Sequence, residues 1–112
     1  MQNALAEFAR ERDWEQFHKI RSLVLALVGE VGELSAEFQW IADEDVQRAL
    51  QDPKKRAAIG SELADVLSYI LRLADVAGFD LEDEFQKKMS LNRDRYPADK
   101  AKGSAAKYTD YE

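Results

Sequence analysis

Apolar residues recur at helical spacing in four stretches of the chain. In residues 3–12, Leu5 and Phe8 mark one side of a short helix. From Arg21 to Trp40, the residues Val24, Leu27, Val31, Leu34 and Phe38 fall within about 80° of one another at 100° per residue, which predicts a long amphipathic helix. From Pro53 to Ala77 the device returns, with Ile59, Leu63, Val66 and Ile70 within about 60° of one another. Asp52-Pro53 opens that helix, with Asp as N-cap and Pro at the first helical position, and Gly78 closes it. Asp80 is expected to cap a fourth helix, Leu81 to Arg95, whose first turn holds Asp83 and Glu84 where the dipole favours acids. Tyr96-Pro97 ends it. Residues 42–52 are acidic and weakly patterned, a linker with room for one short helical turn. Between Asp13 and His18 periodicity does not decide between a helix end and a loop. No stretch alternates as a strand does. The expected fold class is all-α, an antiparallel bundle of about four helices. One helical domain spans residues 1–97, and an irregular basic tail spans 98–112.

The acids complicate this pattern. Glu33 and Glu37 lie within about 60° of Glu30, beside the apolar band rather than opposite it. Glu62 and Asp65 sit in matching places on the helix that starts at Pro53. Four residues after Glu30, Glu33, Glu62 and Asp65 come Leu34, Glu37, Val66 and Tyr69, so none of these acids has a basic partner one turn on. Acids gathered in one bundle repel unless a cation joins them. An all-oxygen set selects a hard ion, Mg²⁺, with Mn²⁺ as a substitute. The metal ligands expected are Glu30, Glu33, Glu62 and Asp65. An ion held this way keeps waters and meets substrate phosphates. Glu33 and Glu37 are the candidates to take a proton from an attacking water, and the sequence does not choose between them. Gly32 lies on the far side from Glu30 and is expected to let helices pack closely.

Composition narrows the partners. At 112 residues, 46% hydrophobic and 34% charged, the chain reads as one globular domain. It has no cysteine, which excludes disulfides and thiolate metal sites and fits a reducing compartment. The net charge of −6 argues against nucleic acid as the main partner. Residues 1–84 carry 9 basic and 18 acidic side chains, residues 85–112 carry 7 basic and 4 acidic, so an acidic body is followed by a basic end. No apolar run is long enough to span a membrane, the first residues lack a signal-peptide pattern, and the expected location is cytoplasmic.

Trp14, Trp40 and Tyr69 are aromatics placed to sandwich a nucleobase near a phosphate-and-metal site, with core packing as the alternative for Trp14. Lys88 and Asn92, one turn apart on the basic fourth helix, share a face and can reach a phosphate chain together. Glu15 and His18 form an E-x-x-H, but a di-iron bundle needs two such motifs and His18 is the chain's single histidine. A structural place behind the site is expected for it.

Several segments together carry a resemblance: Glu11-Arg-Asp-Trp-Glu-Gln-Phe-His18, Leu25-Ala-Leu-Val-Gly-Glu-Val-Gly-Glu-Leu34, Phe38-Gln-Trp40, Glu62-Leu-Ala-Asp-Val-Leu67, Asn92-Arg93 and Arg95-Tyr-Pro97. The chain resembles the MazG-like, all-α nucleoside triphosphate pyrophosphatases, and among them the dCTP pyrophosphatase branch. The resemblance implies Mg²⁺-dependent hydrolysis between the α and β phosphates, yielding a monophosphate and pyrophosphate. It implies Glu30, Glu33, Glu62 and Asp65 as metal ligands, Trp14, Trp40 and Tyr69 as base and sugar contacts, and Lys88 and Asn92 on the phosphate side. It further implies a homodimer or homotetramer with sites near subunit interfaces. A His found in the branch near the start of the first helix stands here as Leu5, which bears on cytosine specificity. The expected function is removal of dCTP, or modified dCTP, from the nucleotide pool. The rival class is a non-enzymatic helical protein whose acidic face binds a basic partner.

Overall fold

A computed structural model describes residues 1–98. Helices α1 (Gln2–Glu11), α2 (Ile20–Ala36), α3 (Val46–Ala49), α4 (Pro53–Ala77) and α5 (Leu81–Arg95) follow in chain order, with 3₁₀ turns at Glu15–Phe17 and Asp43–Asp45. The all-α expectation is met, and no strand forms among the described residues. The tail expected over 98–112 lies, from residue 99 on, outside the described residues.

The described residues form two compact units, Met1–Gly78 and one that begins at Phe79. In the first, α2 packs on α4, and α1 packs on α4 as well. The cross-links between α2 and α4 fix their direction. Glu37 pairs with Lys55, Glu30 meets Glu62, and His18, just before α2, meets Arg72. Residue numbers rise on one helix as they fall on the other, so α2 and α4 are antiparallel. Ala9, Leu23, Ile59, Leu71 and Ala74 are the buried apolar residues among those described.

The end of α1 settles the segment after Asp13. Asp13 adopts a left-handed φ of 56°, the Asp13 amide donates to the Arg10 carbonyl at 3.1 Å, and the Trp14 amide donates to the Ala9 carbonyl at 2.8 Å. This is a Schellman cap with Asp in the place usually held by Gly, a substitution that Asp tolerates better than most residues. Gln16 stiffens it by donating its side-chain amide to the Asp13 carbonyl at 3.0 Å. The turn aims Trp14 back at α1, where its ring meets Phe8 edge-on at 5.5 Å.

One expected boundary needs correction. The second helix ends at Ala36 rather than Trp40. Beyond it the amides of Glu37, Phe38 and Ile41 donate to carbonyls three residues back, so the chain tightens into turns and the helical wheel no longer places Trp40. The linker holds a 3₁₀ turn and the one-turn helix α3. Among the described residues of this chain nothing approaches Gly32 closely, since a Cβ built there meets nothing within 4 Å.

The ends of α4 follow the sequence. Pro53 opens it, although the Asp52 side chain makes no capping hydrogen bond, and Gly78 closes it at φ 80°. In the second unit, Asp80 caps α5 by accepting from the Asp83 amide at 3.0 Å. Along α5, Lys87 pairs with Asp83 at 2.9 Å, and Gln86 donates to Glu82 at 3.1 Å.

α2 and α4 leave apolar residues in the open. Val24, Val28 and Val31 on α2 and Leu63 and Leu67 on α4 are exposed, Val28 to 65%. The expected apolar faces are therefore only partly used within this unit.

Candidate metal centre and adjoining cavity

Antiparallel packing of α2 on α4 brings the acids of the two helices together. One carboxylate oxygen each from Glu30, Glu62 and Asp65 lies within 4.8 Å of the others. Glu30 and Glu62 are half-buried and Asp65 is exposed. Glu30 Oε2 and Glu62 Oε2 are shut off from solvent and have no hydrogen-bond partner. A buried acceptor left without a donor is costly, and two in one place are a site asking for a cation.

Both carboxyls are pushed above their ordinary range. For Glu30 the causes are loss of hydration at the enclosed oxygen, then the charge of Glu33 and a hydrogen bond with its side chain, then the charges of Asp65 and Glu62. For Glu62 they are the same loss of hydration, then the charges of Glu33 and Asp65, a hydrogen bond with the Glu33 side chain, and the charge of Glu37. Neither residue is deeply buried as a whole; the desolvation acts at one oxygen of each. The donor set is oxygen only, which suits a hard divalent cation.

The other expected acids are placed differently. Glu33 is exposed and lies outside the close trio, although its charge reaches both Glu30 and Glu62. Glu37 Oε2 accepts from Lys55 Nζ at 2.8 Å. Sequence reasoning missed Lys55, because a partner that arrives from another helix leaves no mark in the spacing around Glu37.

Beside the acids opens a cavity of about 340 Å³ lined by Leu5, Phe8, Ala9, Trp14, His18, Leu23, Asp65, Ser68, Tyr69 and Arg72. A second hollow of about 310 Å³ shares Trp14, His18, Leu23 and Tyr69 with it and adds Phe17, Ser22 and Ala26. Asp65 belongs to both the acidic trio and the cavity wall. Trp14 and Tyr69 therefore meet at one cavity. Trp40 does not line it and is 89% exposed. Lys88 and Asn92 stand one turn apart on α5, in the second unit, Lys88 exposed and Asn92 half-buried.

Arg72 is a charged cavity residue that sequence reasoning passed over. Its signal was a lone cation in the apolar run Tyr69-Ile-Leu-Arg-Leu-Ala74.

A model of the MazG-like family matches residues 26–111. The chain belongs to the MazG-like family. The match takes in the acids of both helices of the candidate site. This MazG-like chain is 54% identical over 105 residues to dCTP pyrophosphatase 1 of Mus musculus, covering 94% of the chain and 62% of that relative. It is 52% identical to dCTP pyrophosphatase 1 of Homo sapiens, with the same coverage. The chain thus spans 62% of the length of the curated relatives it matches. Among solved structures it is similar to a pyrophosphatase from Archaeoglobus fulgidus, with a TM-score of 0.78 and 33% identity over 85% of this chain and 87% of that one. No helix is long and apolar enough to cross a membrane among the described residues.

Proposed function

We propose that the chain is a nucleoside triphosphate pyrophosphohydrolase that cleaves between the α and β phosphates. The substrate is dCTP, or a modified dCTP, and the products are the monophosphate and pyrophosphate. The observation that carries this reading is the pair of enclosed, unpartnered oxygens on Glu30 and Glu62, with Asp65 joining them to an aromatic cavity. The printed names of the relatives supply the substrate class.

Glu30, Glu62 and Asp65 would hold Mg²⁺, with Mn²⁺ as a substitute. When bound, such an ion neutralises phosphate charge and acidifies a water. The chain's own residues do the rest. Trp14 and Tyr69 stack on the base and exclude water from it. Glu33, exposed beside the trio, accepts the proton of the attacking water. Glu37, tied to Lys55, adds negative charge near Glu62 rather than acting as the base. Lys88 and Asn92 are assigned to the phosphates on the family resemblance alone, and so is Trp40 to the sugar or base.

The exposed apolar band on α2 and α4 is read as the contact face of a homodimer, or of a tetramer built from dimers. Neither nucleic acid nor membrane is a partner in this reading, and the enzyme works in the cytoplasm.

The test is a panel of canonical and 5-modified deoxynucleoside triphosphates, scored for monophosphate and pyrophosphate with Mg²⁺ and with chelator. Mg²⁺-dependent release, highest on dCTP or its modified forms, is expected. Absence of turnover across the panel, with no thermal shift on adding Mg²⁺, would return the chain to the class of acidic interaction proteins.

A further inference from the structure

Charged residues of α2 and α4 meet in two successive rungs. In the first, Glu30 faces Glu62 across the antiparallel pair. Seven residues on along α2 stands Glu37, and seven residues back along α4 stands Lys55. Seven residues are two helical turns, so each keeps the face of the acid it is counted from, about 10 Å along the axis. Glu37 still holds helical dihedrals, φ −65° and ψ −19°, although α2 closes there. The second rung is therefore Lys55 on Glu37, with Nζ donating to Oε2 at 2.8 Å. Among the described residues it is the ion pair that crosses between these two helices.

The rungs differ in the source of positive charge. In the first, carboxylates meet carboxylates, and Glu30 Oε2 and Glu62 Oε2 lack a donor. In the second, an ammonium stands where the facing acid would be. Side chains on a helix lean toward its N-terminus. Glu37 therefore leans back toward Glu30 and Glu62, while Lys55 leans away from them. The Glu37 charge does reach Glu62, as the last of the causes that raise that carboxyl. Lys55 sits behind Glu37 and draws on the same carboxylate, and both side chains are mostly shielded from solvent.

We propose that Lys55 is a built-in counter-cation that weakens divalent-cation binding at the acidic trio by neutralising Glu37. This rests on the reading of Glu30, Glu62 and Asp65 as the metal site. Neither Lys55 nor Glu37 is a ligand; the pair acts on the site through charge. With Lys55 in place, the carboxylate of Glu37 is largely offset. Without it, a full negative charge stands two turns from the trio. A pair that only clamped the helices would behave differently, since removing either partner would loosen α2 on α4 and weaken binding in both cases.

The two accounts part on the sign of an affinity change. Mg²⁺ alone is the probe, titrated by calorimetry into the whole chain at low ionic strength and without nucleotide. A unit charge at about 10 Å in water changes the affinity for a divalent cation by about fivefold. Lys55→Met is expected to tighten the Mg²⁺ Kd by about that factor, although it destabilises the fold. Glu37→Gln, which leaves the lysine uncompensated, is expected to weaken it by a similar factor. The double variant Lys55→Met/Glu37→Gln and the charge-conserving Lys55→Arg should both stay within about twofold of the unaltered chain. Raising KCl to about 1 M, where the Debye length is about 3 Å, should draw all these values together. An unchanged Kd in folded Lys55→Met, or weaker binding in both single variants, overturns the proposal alone. Absence of Mg²⁺ binding by the unaltered chain, or binding that survives Glu30→Gln/Glu62→Gln, overturns the underlying reading and the proposal with it.

Discussion

Lys55 Nζ donates to Glu37 Oε2 at 2.8 Å, tying the first turn of α4 to the residue that closes α2. Both side chains are mostly shielded, exposed to 29% and 25%, so the pair is screened less than a surface bridge. Lys55→Met leaves Glu37 charged beside Glu62. We expect a loss of about 1 kcal/mol, the upper end for partly exposed pairs, read in urea unfolding. The double variant Lys55→Met/Glu37→Gln should recover part of it, and strict additivity of the two single changes would show that the pair contributes nothing.

The acids of the site make a pH prediction with a definite sign. The folded-state pKa values of Glu30 and Glu62 are raised above their ordinary value of 4.5. Between the ordinary and the raised values the folded chain holds protons that the unfolded chain has released. The contribution of these two groups to stability is therefore present at low pH and is lost as pH rises through the folded pKa. In chelator, the Tm of the unaltered chain should fall relative to Glu30→Gln/Glu62→Gln as pH moves from the ordinary carboxylate value toward neutrality. Mg²⁺ at neutral pH should raise the Tm of the unaltered chain and leave the double variant unmoved. Parallel Tm curves for the two proteins across that range would contradict the assignment.

Removing one acid at a time separates chemistry from architecture. Asp65→Asn and Glu33→Gln are expected to abolish Mg²⁺-dependent pyrophosphate release while circular dichroism retains the helical signal. Removing a single general base or ligand costs a factor of about 10² or more in rate. Full turnover by either purified variant would displace that residue from the mechanism.

The apolar band on α2 and α4 predicts association. Val28 is 65% exposed near its middle, and Val28→Lys should lower the molecular mass in sedimentation equilibrium at micromolar concentration. An unaltered chain already monomeric under those conditions would assign the band to another partner.

Helix ends set by special residues were readable in advance. Pro53, Gly78 and Asp80 act through their own backbone or a neighbour three residues on; α4 begins and ends, and α5 begins, where those residues stand. The facing acids were also legible, because equal wheels on two helices bring Glu30 and Glu62 together once the helices pack antiparallel. What spacing does not record is anything decided across the packed interface. Arg72 finds His18 over 54 residues and Lys55 finds Glu37 over 18, and neither pairing has a local signature. The direction of Trp40 is not legible from helical spacing for a different reason: α2 ends at Ala36. Glu33, on the same band, is exposed and reaches both Glu30 and Glu62 through its charge and a side-chain hydrogen bond.

The Schellman cap at Asp13 has an optical consequence. The chain has two tryptophans. The cap folds Trp14 against Phe8 at the cavity wall, while Trp40 is 89% exposed. Iodide therefore quenches Trp40 first, and a ligand entering the cavity alters the emission of Trp14. Occupancy of the cavity can be followed by light in the native chain, with no label and no turnover.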